Sequence, residues 1–188
     1  VEHLGAQREA STLLTFDVGG EALSFSSLLF LWAAAAAVLL IKSSMGVTRW
    51  AGPADSIFAA HQRYQPLDIK QGFASTTAAF VSASGGASVG QYGPIVHFGA
   101  TIGVWVRRFV SSRLSHDIYL ACGVAAAISA GFNAPIAGVI FAHEAILRHF
   151  SMRAIAPITV ASISASALSN FWFPNTASLD IGVAVPSL

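Results

Sequence analysis

The sequence Gly90-Gln91-Tyr92-Gly93-Pro94 interrupts a long apolar stretch and decides the expected fold. It lies within residues 71–106, which contain no Asp, Glu, Lys or Arg. A helix break inside a membrane frees N–H groups that water cannot satisfy. Because a proline would open the next helix, the freed groups are donors, and N-terminal donors bind anions. The stretch therefore predicts an anion site. Its residues are Gly90, Gln91, Tyr92, Gly93, Pro94 and Ile95.

The composition predicts an integral membrane protein. Only 10% of the 188 residues are charged, whereas soluble domains carry about a quarter. Four runs lack Asp, Glu, Lys and Arg, and each is long enough to cross a hydrocarbon layer of about 30 Å. The alternative, a buried core of a large soluble protein, leaves no polar exterior. The runs are Ala22–Ile41, Gln71–Val106, Ile118–Ala142 and Ala154–Leu179.

The chain divides into two parts. Residues 1–21 have a mixed composition without a signal-peptide pattern, and we expect them to be amphipathic or irregular. Residues 22–188 are expected to form an all-α, polytopic membrane domain embedded in a lipid bilayer. The net charge of +1 gives no indication of a nucleic-acid partner. His143 and His149 lack the helical spacing of metal ligands, so we predict no metal site.

Three prolines, at positions 53, 94 and 135, each follow a small residue and are expected to open a helix. Several half-helices with converging N-termini are typical of transporters that bind an ion near the midplane. Each N-terminus carries about half a positive charge. These partial charges could hold chloride or a similar small anion without Lys or Arg. The anion would be bound weakly enough to dissociate, as conduction requires.

Two stretches resemble the CLC family of chloride channels and chloride/proton exchangers. Residues 85–103 are similar to its G-[RK]-E-G-P motif, and residues 121–144 to a segment close to F-N-A-P-L-A-G-I-L-F. The resemblance implies broken and re-entrant helices, no cofactor, and a homodimer whose interface includes Arg153–Trp172. It covers the first of two inverted repeats, so we expect this segment alone not to conduct. We expect the bacterial inner membrane as its location.

The departures from the family motifs favour a passive channel. The family's gating glutamate falls on Tyr92, and a phenol rarely ionises at neutral pH. The proton glutamate on the cytoplasmic side falls on Ala145. The resemblance therefore implies anion conduction with Tyr92 as the gate. The alternative is a proton-coupled antiporter with an unconventional proton path. Pro53 matches the proline of the family's G-S-G-I-P loop, which places Trp50 at the serine position.

Other polar residues have competing interpretations. Glu144 is a candidate accessory transport residue because intramembrane carboxylates are rarely structural, although we favour an ion pair with Arg148 at i+4. His97 is expected to be a satisfied interior histidine. Asp55 is interpreted as an acid in the first turn of a helix. Residues 86–90 fit G-x-S-x-G, which would make Ser88 the nucleophile of an intramembrane serine hydrolase. No strand is expected before Ser88, so we predict that the protein is not an enzyme.

Overall fold

The computed structural model describes residues 15–18, 21–62, 67–88, 90, 92–110 and 114–173. Two short strands, β1 (Thr15–Val18) and β2 (Glu21–Ser24), pair antiparallel with Val18 opposite Glu21. Only two residues separate that pair, the shortest connection common in hairpins. Part of the segment expected to be amphipathic or irregular thus forms a strand, and residues 1–14 lie outside the described part.

Every described element after the hairpin is helical, as predicted for the membrane domain. The helices are α1 (Phe25–Met45), α2 (Pro53–His61), α3 (Ile69–Ser84), α4 (Tyr92–Arg107), α5 (His116–Phe132), α6 (Pro135–Phe141) and α7 (Met152–Trp172). A π-helical segment, Ala142–Leu147, continues α6.

Two of the four uncharged runs are broken into shorter helices. The run 71–106 holds most of α3 and α4, each of 16 residues and therefore about 24 Å long. The run 118–142 is divided between α5 and α6. Within the described residues, Met152–Trp172 is the one helix long and apolar enough to cross a membrane by itself. The breaks that the sequence predicted before Pro94 and before Pro135 are therefore confirmed in these two runs.

Prolines lie near the start of three helices, as the sequence predicted. Pro53 and Pro135 are each at the opening of their helix, where a missing N–H costs nothing. Pro94 is instead the third residue of α4, which begins at Tyr92. The helix therefore begins two residues earlier than predicted. Pro94 is compatible with the third position, because N–H groups in the first turn have no intrahelical acceptor and its missing N–H costs no hydrogen bond.

The expected ion pair between Glu144 and Arg148 does not form. In the π-helical segment, hydrogen bonds join residues five apart, so an i+4 neighbour no longer lies directly over the previous turn. Arg148 leaves the helix with φ of 56°. Within the described part of the chain, the only ion pair joins Arg49 and Asp55.

The centre of the domain is the contact between α4 and α5. Gly99 and Gly103 on α4 face Gly123 and Tyr119 on α5 so closely that the backbones touch. A Cβ on Gly123 would overlap the carbonyl oxygen of Gly99. Small residues permit this approach where apolar burial does not drive helix association. Buried side chains from both helices complete the core, among them Ala100, Leu120 and Val124.

The break between α5 and α6 is satisfied by a polar stripe on α7. Asn133 ends α5 in the left-handed conformation, and its Oδ1 accepts hydrogen bonds from Ser166 Oγ (2.7 Å) and Asn170 Nδ2 (2.8 Å). Ser162 Oγ donates to the carbonyl of Pro135 at 2.7 Å. Ser169 Oγ donates to the carbonyl of Ala130 at 3.1 Å. Of the backbone groups that the break frees, the Ala130 carbonyl is therefore bonded within the protein, as a membrane requires.

The α4–α5 contact predicts that Gly123→Ala destabilises the protein. The added methyl group meets backbone atoms that cannot rotate away, so we expect a loss of about 1–3 kcal/mol. The matched control is Gly131→Ala on the same helix, where the new Cβ would lie 4.0 Å from Ile95. Thermal unfolding in detergent compares the two variants. Equal melting temperatures would contradict the proposed backbone contact.

Candidate anion site

A cavity of about 290 Å³ lies where α1, α2, α3 and α4 meet. Its wall carries hydroxyl groups, apolar side chains and one imidazole, but no carboxylate, Lys or Arg. The lining residues are Val38, Trp50, Ala51, Gly52, Pro53, Ser75, Thr76, Ala78, Ala79, Ser82, Pro94 and His97. A neutral, partly polar wall of this kind suits a small ion or a few water molecules.

The N-termini of α2 and α4 meet beside this cavity. A Cβ added to Gly93 would lie 3.2 Å from Cγ of Pro53, so the two helix starts are in contact. Both Pro53 and Pro94 line the cavity. Each helix start contributes a positive end of its dipole, and the two add where they meet. The predicted convergence of half-helices is present for this pair.

The loop before α2 uses most of its own donors. Gly52 N–H donates to Asp55 Oδ2 at 2.8 Å, and Ala51 N–H donates to Ser75 Oγ at 2.8 Å. The other carboxylate oxygen of Asp55 pairs with Arg49. Asp55 is therefore the first-turn acid that the sequence predicted, and it caps its own helix. Among these loop residues, Ala51 and Gly52 do not offer free N–H groups to an anion.

The start of α4 is organised differently. A helix leaves the N–H groups of its first turn without intrahelical partners, and Pro94 has none to offer, so Tyr92 and Gly93 are the described donors at this end. The ring of Tyr92 stacks on Phe132 at the end of α5, with centroids 4.8 Å apart and planes 23° apart. Tyr92 is 63% exposed and does not line the cavity.

His97 joins the two helices below their N-termini. Its Nδ1 lies 2.7 Å from Ser56 Oγ on α2, and both residues are buried. Its Nε2 has no hydrogen-bond partner in the described part of the chain. The expectation of a fully satisfied interior histidine was therefore only half right. Thr101 Oγ1, one turn further along α4, donates to the His97 carbonyl at 2.8 Å.

The structure brings together some of the predicted site residues and separates others. Pro53 and Pro94 share the cavity wall, whereas Gly90 is exposed and Ile95 is partly buried beside Gly131. Gln91 lies outside the described residues. Glu144 is exposed on the π-helical segment and does not line the cavity.

Ser88 is exposed after the end of α3 and donates to no histidine among the described residues. The serine that does contact a histidine is Ser56. Sequence reasoning did not find the Ser56–His97 pair or the hydroxyl groups of Ser75 and Ser82. These residues come from three different helices, and no local motif connects them.

A family model described as voltage gated chloride channel matches residues 29–187. The chain belongs to the voltage-gated chloride channel (CLC) family. Members of this family are membrane proteins that transport chloride, so the resemblance given by the two sequence stretches is confirmed.

Individual relatives cover only part of the chain. It is similar to the chloride channel protein of Ralstonia nicotianae named ClcB-like, with 29% identity over 112 residues, 57% of this chain and 26% of that protein. It is 26% identical to the voltage-gated ClC-type chloride channel ClcB of Yersinia pseudotuberculosis over 105 residues, 55% of this chain and 25% of that one. It is 45% identical to chloride channel protein CLC-e of Arabidopsis thaliana over 76 residues, which are 40% of this chain and 11% of that protein. The chain thus spans about a quarter of its bacterial relatives or less.

Capping by Asp55 predicts that Asp55→Ala lowers the free energy of unfolding by about 1 kcal/mol, because Gly52 N–H loses its acceptor. Asp55→Asn is the matched comparison. It keeps one acceptor and loses only the ion pair with the exposed Arg49, which is worth less than about 1 kcal/mol. Denaturant titration measures both variants. An Asn variant as unstable as the Ala variant would show that the charge pair, and not the cap, holds this loop.

Proposed function

We propose that this chain forms the first half of a passive chloride pathway, in which the N-termini of α2 and α4 face the anion. The observation that carries the proposal is the contact between Pro53 and Gly93 at a cavity with no carboxylate on its wall. Two partial positive charges attract an anion there, and no full cation holds it too tightly to leave. In this proposal, the backbone N–H groups of Tyr92 and Gly93 donate hydrogen bonds to the anion at the start of α4.

Passive conduction is supported by the side chains at the family's proton sites. The gating position holds Tyr92 and the cytoplasmic-side position holds Ala145. Neither is a carboxylate, so the usual proton carriers are absent from the described helices. The second candidate function is a proton-coupled antiporter with an unconventional path. His97 is the observation in its favour, since an imidazole on the cavity wall titrates near neutral pH in water.

The gate proposed at Tyr92 rests on its place at the start of α4. The ring stacks on Phe132, and within the proposal this stacked position is the closed one. An aromatic pair of this kind contributes about 0.5–1.5 kcal/mol. Opening then requires the ring to leave Phe132, which is a small enough cost to be reversed rapidly.

The outer surface suits a lipid bilayer and a second subunit. Large apolar side chains of α7 are exposed along its length, including Ile163, Leu168 and Phe171. An exposed apolar surface of this extent marks a membrane or protein contact. Within the proposal, α7 contributes to a homodimer interface, and the remaining apolar faces contact lipid. The bacterial relatives support the inner membrane as the location.

The gate predicts that Tyr92→Ala raises chloride flux. Removing a stack worth about 0.5–1.5 kcal/mol increases the open population by about twofold to tenfold. Tyr92→Phe keeps the ring and is expected to conduct like the wild type. The measurement is chloride efflux from liposomes that contain the full-length protein. An unchanged flux in Tyr92→Ala would remove Tyr92 from the gate.

The passive mechanism has its own test in the same liposomes. A chloride gradient is applied while a pH electrode follows external protons, and we expect chloride efflux without uphill proton movement. Protons driven against their gradient would establish the antiporter instead. A wild-type protein that neither binds nor moves chloride would reject the proposed function altogether.

A further inference from the structure

We propose that His97, held by Ser56, is a side-chain ligand of the anion in the cavity between α1, α2, α3 and α4. This inference rests on the proposed function and adds a side chain to a site otherwise described by backbone groups. His97 lies on α4, three residues after Pro94, and is 1% exposed. Ser56 lies on α2, three residues after Pro53, and is 0% exposed.

The unsatisfied ring nitrogen is the first argument for a ligand. Nε2 of His97 has no hydrogen-bond partner within the described ranges, although the residue is buried. An unpaired buried polar group costs about 1–3 kcal/mol, and native proteins leave few of them. The ring forms part of the wall of the 290 Å³ cavity. A group that enters through this cavity is therefore the available partner for Nε2.

The hydrogen bond to Ser56 makes Nε2 a donor. Ser56 Oγ lies 2.7 Å from His97 Nδ1, its hydrogen-bond partner. If Ser56 donates its proton to Nδ1, both atoms are satisfied and the ring proton is on Nε2. The opposite assignment leaves the hydroxyl proton of Ser56 without an acceptor among the described residues. The first arrangement is thus the more stable one, and it presents an N–H group.

The other groups at the cavity decide that the ligand is an anion. The wall has no carboxylate to attract a cation, and the positive ends of α2 and α4 lie at its edge. The N–H groups of Ala51 and Gly52 already have acceptors, so the α2 side offers few backbone donors. The ring N–H of His97 would supply the hydrogen-bond donor that the backbone of this loop lacks. A cavity of this volume accommodates a halide with a few water molecules.

His97 and Ser56 have different roles in this proposal. His97 contacts the anion and is a binding residue. Ser56 is a positioning residue, because it acts through the imidazole by fixing its tautomer and orientation. The pair also fixes the second turn of α4 against α2, so the two helix starts keep their separation at the cavity.

The experiment measures chloride binding by titration calorimetry, together with efflux, on the full-length protein. His97→Leu removes the donor at similar volume, and we expect chloride affinity to fall at least about tenfold, the loss for a hydrogen bond to a charged group. His97→Gln retains an N–H donor and is expected to stay within about threefold of the wild type. Ser56→Ala weakens binding by an intermediate factor, and Ser56→Thr restores it.

The control is His143→Leu, which replaces another buried histidine that does not line the cavity. Its chloride affinity should equal that of the wild type. If His97→Leu fails to fold, the chloride affinities of His97→Gln, Ser56→Ala and Ser56→Thr still test the role of the ring. Chloride affinity unchanged in His97→Leu, or equally reduced in His97→Gln, would overturn the role of the ring as a donor. Because the wild type would still bind and conduct chloride in those cases, the proposed function would survive.

Discussion

The fold depends on the satisfaction of backbone groups that broken helices leave without partners. A helix that crosses a membrane uninterrupted bonds all of its N–H and C=O groups internally, whereas each break exposes several at either end. At the break between α5 and α6, side chains of α7 supply partners: Ser169 bonds the freed carbonyl of Ala130, and Ser166 bonds the side chain of Asn133. The starts of α2 and α4 differ from this break: Ala51 and Gly52 before α2 already have acceptors, whereas the first-turn N–H groups of α4 are the donors assigned to the anion in the proposed function.

The helix starts also differ in the polar groups that surround them. At α6, Pro135 opens the helix and the neighbouring polar groups belong to a closed network of neutral hydrogen bonds. At α2, Asp55 occupies Gly52 N–H and thereby limits the positive potential that reaches the cavity. At α4, no comparable acid lies in the first turn. The positive potential at the cavity therefore comes mainly from α4, the helix that begins at Tyr92.

Much of the fold was predictable from sequence because its signals are local. Prolines after small residues marked the breaks, and the uncharged runs marked the helices to within a few residues. The π-helical segment was not predictable, since the residues 142–147 carry no local signal for i+5 bonding, and it removed the expected pair of Glu144 with Arg148. The Ser56–His97 pair joins residues 41 apart in sequence, and only the packing of α2 on α4 brings them together.

Under the proposed function, the balance between holding and releasing an ion accounts for a cavity wall without charged side chains. In a low-dielectric interior a full positive charge attracts chloride strongly, and the ion would leave slowly. Helix ends and an imidazole N–H carry only part of a unit charge and have fixed positions. They can therefore replace the water that the ion loses without binding the ion too tightly to release it. The ion pair of Arg49 with Asp55 keeps the nearest guanidinium bonded to its own carboxylate outside the cavity wall. The proposed site would therefore attract an anion through dipoles, while Arg49 is paired with Asp55.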